Sequence, residues 1–350
     1  MYRSEYLKLS IPSKEPDSVR SVSDFINTIV CKIQNKKSWN ELTKKYFYNS
    51  DLNEEEMKIK PTLIHYDAAE CYDSEILFRG QSSSDYDITP SIARSYKKQR
   101  YEKNLLEYEK SIIDVACLKY PDVFKPSLLP IERLALMQHY GIPTRLLDVS
   151  EIPLIALYFA CCGNEKKDGE VIVFYNMRRK ENPYPIMQSI ADTSKLAEST
   201  SGFVLTKNFI SKAFKQNYFE NYEDEYKDFY KDERKLISVF STPIFVNAPI
   251  WAKRQADQQG MYLLFPNQIN ASNNSKNSFF WGEINPWPKN HPYSEIIRIP
   301  RKSKPELLKE LKMLGITKSK LFPEIFDYAC EELVDYVVSR KTPNEMLNGR

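Results

Sequence analysis

The first place in this sequence where residue types suit a ligand is Arg79-Gly80-Gln81, at the end of an apolar run. A guanidinium there can present a planar fork of donors to a phosphate or carboxylate, and a glycine lets a ligand approach the backbone. The other reading of the same residues is a structural arginine paired with a buried acid. A second cluster runs from Gln138 to Ser150 and gathers Gln138, His139, Thr144, Arg145, Asp148 and Ser150. If Thr144 to Ser150 is extended, Thr144, Leu146, Asp148 and Ser150 share one face while Arg145 and Leu147 take the other. Such a strand lines a polar cleft. His139 is a candidate base, or only a partner for the helix dipole, and Arg145 with Asp148 can equally form an internal ion pair that fixes the turn. A third cluster, Arg254 to Tyr262, holds Gln258 and Gln259 just before a strand. Amides at that position read a ligand amide or ribose hydroxyl, or tie up loose backbone groups. No serine-hydrolase elbow, phosphate loop, zinc-protease helix or dinucleotide glycine fingerprint occurs, which removes the common reaction classes. The residues imply no metal.

The elements that position these clusters are legible from periodicity. Val22, Phe25, Ile26, Ile29, Val30 and Ile33 recur at helical spacing over 19–34, with Ser23 as the candidate cap. A strand from Glu75 to Phe78 runs into Arg79. A long helix is expected over 97–120 and a second from Leu129 to Tyr140, stopped by Gly141 and Pro143. Residues 153–162 open on a proline and are apolar nearly all round, as a buried helix would be. The β-branched and aromatic run Glu170 to Tyr175 reads as a central strand. Further strands are expected at 240–246, 261–265 and 295–299, and helix over 304–340 with a break near Gly315. Between 177 and 235 Tyr, Phe, Lys and Glu dominate. That stretch reads as an insertion with exposed helices, either a partner surface or a solvated arm packed by its own aromatics. The divisions are an N-terminal helical segment (1–70), a core (71–300) carrying the insertion, and a C-terminal helical segment (301–350).

Bulk properties narrow the function classes. The 350 residues carry 50 basic and 47 acidic side chains, a net charge of +3 that makes no global case for nucleic acid. A hydrophobic share of 42% with only 9 glycines argues for a folded chain rather than a disordered one. The 6 cysteines form no C-x-x-C pair and there are only 3 histidines, so the cysteines read as reduced and buried, as in a cytoplasmic protein. No apolar run has the length of a membrane span, and the N-terminus lacks a signal-peptide core, so a cytoplasmic location is expected.

Phe78-Arg79-Gly80-Gln81, Pro90-Ser91-Ile92-Ala93-Arg94, the Gln138-to-Asp148 block, Pro153 to Ala160 and Arg254 to Tyr262 resemble the FRG domain family in order and spacing. Leu314-Gly315-Ile316-Thr317 and Leu321-Phe322-Pro323-Glu324 resemble its C-terminal segment, while 177–235 does not align with it. The arrangement is also similar to the Arg–Ser–Glu plan of ADP-ribosyltransferases. That resemblance implies an α+β fold with a mixed, split central sheet and flanking and inserted helices. By the same resemblance Arg79 is a catalytic residue that contacts NAD, the substrate. Asp148-Val149-Ser150 before the apolar helix takes the second role, with Ser241-Thr242-Pro243 a competing register. Gln258 or Gln259 stands where the plan has a glutamate, so Asp148 is the candidate substitute for the missing acid. Gly80, Gln81, His139, Thr144, Arg145, Ser150 and Gln259 would line the NAD site.

Relatives in bacterial toxin–antitoxin and anti-phage loci make an NAD-consuming toxin the activity the resemblance implies, with RNA as a target. Lys97-Lys98-Gln99-Arg100 and Arg178-Arg179-Lys180 would then contact phosphates, or else form solvated faces. A neutralising antitoxin-type protein is the implied partner, docked on 177–235. The competing class is a non-enzymatic nucleotide-sensing or protein-interaction module.

Overall fold

A computed structural model describes residues 18–37, 75–94, 105–176, 184–196, 203–205, 207–220, 222, 240, 242–247, 260–271, 278–280, 283–291 and 294–323. Its centre is a six-stranded sheet in the order β5-β6-β2-β1-β3-β9. The strands are β1 (Glu75–Gln81), β2 (Leu146–Ser150), β3 (Gly169–Asn176), β5 (Ile244–Val246), β6 (Gly260–Leu264) and β9 (Ser294–Ile299). A three-stranded sheet joins β4 (Phe203–Leu205), β8 (Ser278–Phe280) and β7 (Ile269–Ala271). The α+β expectation holds. The mixed pairing does not, because each of the seven ladders among the described residues is antiparallel.

The ladders are uneven. β1 and β3 pair over seven positions and β2 and β6 over five, yet β1 and β2 meet at one pair, Phe78 with Ser150. The sheet therefore opens between its two middle strands. Helices cover one face in two groups. Beside β1, β3 and β9, Phe78, Val171, Val173, Ile297 and Ile299 pack on α4 (Pro153–Cys161), α1 (Val22–Lys37) and α8 (Lys304–Met313). Beside β2, β5 and β6, Leu146, Ile244, Val246, Tyr262 and Leu264 pack on α3 (Pro130–His139) and α5 (Tyr184–Ala191). The opposite face carries Leu77, Leu147, Val149, Ile172, Phe174 and Met261 against Ile88, Ile92 and Trp287. This is the two-residue alternation read from the sequence.

Local chemistry explains the element ends. α1 is capped by Ser21 rather than Ser23: Ser21 Oγ accepts from Asp24 N at 3.1 Å, and Asp24 Oδ2 accepts from Ser21 N at 3.1 Å. A capping box needs the acid three residues on, and only Ser21 has it there. α3 ends where Gly141 takes φ 75° and Ile142 N donates to Met137 O at 3.0 Å. The expected helix over 97–120 is a 3-10 turn (Leu105–Tyr108) followed by α2 (Glu109–Lys119), with 97–104 outside the described residues. The expected 304–340 helix is α8 and α9 (Lys318–Leu321), separated by Gly315 at φ 78°; residues beyond 323 lie outside.

The described part of the 177–235 segment is not displayed on exposed helices. Ile186, Ile190, Leu196, Ala213 and Phe219 are all buried in the cluster beneath α3. Gln188, fully buried, accepts from Ile131 N at 3.1 Å, and Phe214 stacks on Phe219 at 4.3 Å. Among the described aromatics of this stretch, Phe214, Tyr218 and Phe219 pack into a core. Arg178, Arg179, Lys180 and residues 223–235 lie outside the described residues.

Arg145 corrects a further expectation. It makes no ion pair with Asp148 and points away from the cleft. Its side chain is 1% exposed, Nε donates to Glu109 Oε1 at 2.8 Å and Nη2 pairs with Glu109 Oε2. Nη1 donates to Phe265 O at 3.1 Å and Asn267 Oδ1 at 3.0 Å. It ties α2 to β2 and to the chain after β6. Replacing Arg145 by Met strands a buried carboxylate, and the expected loss is about 3–5 kcal/mol of unfolding free energy in urea titration. The double replacement R145M with E109L removes the stranded charge and is expected to recover most of that loss.

Candidate functional site

A cavity of about 160 Å3 lies where the two helical covers meet over the opening of the sheet. At the ~10–15 Å3 that one water requires, it has room for a small polar ligand. β1 contributes Phe78, Arg79 and Gly80, and β2 contributes Asp148, Val149 and Ser150. Gly260, Met261 and Tyr262 come from β6, Gln138 and His139 from the last turn of α3, and Ile155, Ala156 and Phe159 from α4. One wall is apolar and aromatic; the other is polar.

Arg79 occupies the opening itself. Nη1 donates to the backbone oxygen of Asp148 at 2.5 Å, a carbonyl facing β1 beyond their one ladder pair. Nε is sealed from solvent and has no hydrogen-bond partner among the described residues. Burial pushes the guanidinium down to about 10, with Asp148 pulling it back up and Arg94 pushing it lower. It remains a cation at neutral pH, held in a site that penalises its charge. Arg94 is anchored by two bonds from Nε and Nη2 to Thr89 O, at 3.1 and 3.0 Å, and it too is lowered by burial and raised by Asp148. Among the described residues neither arginine forms a salt bridge. Arg79, half-buried with its Nε sealed, and the exposed Arg94 stand beside one carboxylate and leave positive charge that an anionic ligand would offset.

Asp148 is exposed at the cleft, and its Oδ2 accepts from Gln138 Nε2 at 3.0 Å. Gln138 Oε1 in turn accepts from Thr144 Oγ1 at 2.8 Å, and Thr144 Oγ1 accepts from Leu146 N at 3.1 Å. Ser150 Oγ accepts from Ile152 N at 3.0 Å and so helps start α4. His139 closes the end of α3, its ring edge-on to Tyr140 at 5.0 Å between centroids.

Of the residues expected at the site, Arg79, Gly80, His139, Asp148 and Ser150 do line one cavity. Thr144 is buried behind it, and Arg145 lies in the ion pair with Glu109. Gln81 lies outside the lining. Its Nε2 donates to Glu170 Oε1 at 3.0 Å, in a buried network that Lys289 Nζ completes at 2.7 Å from the same oxygen. Gln258 and Gln259 fall outside the described residues, as does Ser241. Gly80 is there for packing and not to admit a ligand: a Cβ on it would sit 1.8 Å from Ala156 O and 2.7 Å from Ala160 N. Sequence reasoning misses Phe159 and Tyr262 as lining residues, and it gives Gln138, gathered in the second cluster, no role of its own. Gln138 carried a signal, standing six residues before Thr144 at a helix end; the two aromatics read only as core.

The cysteines read from composition as buried are mixed. Cys31 and Cys161 are buried, Cys117 and Cys162 half-buried, and all four are free. Burial pushes the Cys161 thiol up to about 12. Among the described residues no helix is long and apolar enough to cross a membrane.

Such a fold and site define an α+β protein with an arginine-lined cleft at an opened antiparallel sheet. Residues 74–169 match the FRG domain family, a span that takes in β1, β2 and α4 and ends at the first residue of β3. No curated protein and no solved structure matches the chain.

Proposed function

We propose that the chain is an NAD-dependent ADP-ribosyltransferase acting on a macromolecule, with RNA the leading target class, as a toxin of bacterial anti-phage defence. The observation that carries this reading is Arg79: a half-buried cation with a sealed, unpartnered Nε and no salt bridge among the described residues, in a cleft that also holds Asp148, Ser150 and an aromatic wall. The residues fit the substrate. Arg79, with Arg94 behind it, would hold the diphosphate, and Phe159 and Tyr262 offer flat apolar surface to a ring. The chemistry NAD supplies is an ADP-ribosyl group: the bond from ribose C1′ to nicotinamide breaks, neutral nicotinamide keeps the bonding pair, and an acceptor nucleophile bonds C1′ and gives up a proton. Asp148 is the acid placed to offset positive charge developing at the ribose, in the role a glutamate would take at Gln258. An activity of this kind needs restraint, so a neutralising protein partner belongs to the proposal, as does a cytoplasmic location where NAD is present.

A binding module without chemistry is the second reading. It is favoured by the fact that Asp148 is the one carboxylate among the described lining residues. Purified protein incubated with phosphate-labelled NAD and separated RNA, DNA and protein fractions of a bacterial extract decides between them. Label is expected in one fraction. NAD that stays intact, with protein shown to be folded and to bind it, would establish the binding module instead.

A further inference from the structure

We infer that Gln138 is the positioning residue for Asp148, set in its working orientation by the Thr144 hydroxyl. This rests on the transferase reading above for its kinetic consequence, though not for its geometry.

The chain of donors runs one way. Leu146 N–H donates to Thr144 Oγ1 at 3.1 Å, so the Thr144 hydroxyl hydrogen is free to point elsewhere. It meets Gln138 Oε1 at 2.8 Å. An amide has one accepting end and one donating end, so an occupied Oε1 leaves the NH2 group facing Asp148 Oδ2 at 3.0 Å. That group can only donate, and the oxygen it meets is therefore an acceptor. Among the described residues Oδ1 has no such partner, and Arg79 Nη1 fixes the aspartate's backbone from the other side. The residue is held at its backbone by Arg79 and at one carboxylate oxygen by Gln138, which leaves the other oxygen presented.

Three elements must agree for this to exist. Gln138 comes from the last turn of α3, Thr144 from the loop behind Gly141, and Asp148 from the middle of β2. Thr144 is itself fixed from a fourth direction, its N–H donating to Ser91 Oγ at 3.1 Å. Thr144 is 1% exposed and lies off the cavity wall, so its hydroxyl reaches the site only through Gln138.

Two measurements test the relay. In protein labelled with 15N at glutamine side chains, a Gln138 Nε2 proton is expected downfield, moving upfield in both Asp148→Ala and Thr144→Val. In NAD consumption, Gln138→Leu and Thr144→Val are expected to lower kcat roughly ten- to a hundredfold with KM unchanged. Thr144→Ser, which keeps the hydroxyl and loses the methyl, is expected to restore the rate. If packing were the role of Thr144, valine would be the tolerated substitution and serine the damaging one. Gln138→Leu should cost nothing further in an Asp148→Asn background. A Gln138 proton that ignores Asp148→Ala, or a rate that follows the methyl, overturns the inference. Wild-type protein that consumes no NAD would sink the transferase reading alone, and the proton shifts would still decide the relay.

Discussion

Replacing Arg79 by alanine is expected to weaken NAD binding by roughly a hundredfold or more, while the unfolding free energy changes little. The two halves of this result have separate causes. A guanidinium that makes two bonds to an anionic ligand contributes about 1.5–3 kcal/mol for each, and a loss near 3 kcal/mol is about a hundredfold in affinity. On the stability side, the variant gives up the bond to Asp148 O, worth about 1–2 kcal/mol. It also removes a cation that burial disfavours strongly enough to move its pKa down to about 10. These contributions oppose each other and are of similar size. Arg79→Lys is expected to behave almost as badly as alanine, because a single ammonium cannot keep the Asp148 carbonyl and a ligand oxygen in a fixed fork. Calorimetric titration with NAD, paired with urea unfolding of the same samples, reads both. Undiminished NAD affinity in Arg79→Ala would remove the residue on which the proposed function stands.

Gly80→Ala, one residue away, is expected to do the reverse and destabilise the whole domain by about 3 kcal/mol or more. The added methyl would lie 1.8 Å from Ala156 O and 2.7 Å from Ala160 N, backbone atoms of α4 that cannot swing aside. Gly169, on the neighbouring strand, is clamped by the same helix, its Cβ position 2.2 Å from Ala160 O. Neither glycine has a positive φ, so conformational strain is not the cause. Gly141→Ala is the useful contrast: φ is 75° but nothing stands within 4 Å of the added carbon. It is expected to cost only about 1–2 kcal/mol. Urea titration of the three variants ranks them, and a Gly80→Ala protein as stable as wild type would contradict the packing geometry. Within Phe78-Arg79-Gly80, then, the proposed function gives the arginine to the ligand, while the packing gives the glycine to the fold.

What was readable in the sequence follows from the range of the forces involved. α3, α4 and β3 lie close to where periodicity, proline and glycine placed them, because those signals act within a few residues. The shared face of Asp148 and Ser150 was legible for the same reason. Arg145 was not: its carboxylate partner, Glu109, lies 36 residues earlier, and a nearby Asp148 was the more visible candidate. Gln81 stands two residues from Arg79 and shares its face of β1, but its amide is taken up by Glu170, which also holds Lys289, and so it does not line the cleft. The aromatic run around Tyr218 and Phe219 could be read as a partner surface or as a self-packed arm, because its charged neighbours dominate the local composition. In the fold Phe219 stacks on Phe214 and Tyr218 packs beside Phe219, both buried. Nothing in the local sequence announced that β1 and β2 share a single pair.

That single pair has a mechanical consequence. β5, β6 and β2 form one ribbon, and β1, β3 and β9 another, with each ribbon stitched internally by three to seven rungs. Between their backbones stand one ladder pair and the Arg79–Asp148 bond, while the apolar face around Leu77 and Val149 packs across both. In backbone pairing the seam is the weakest line of the sheet. An occupant bound to Arg79 and Asp148 touches both ribbons at once, and so acts as the missing rungs: filling the cleft stiffens the scaffold that forms it.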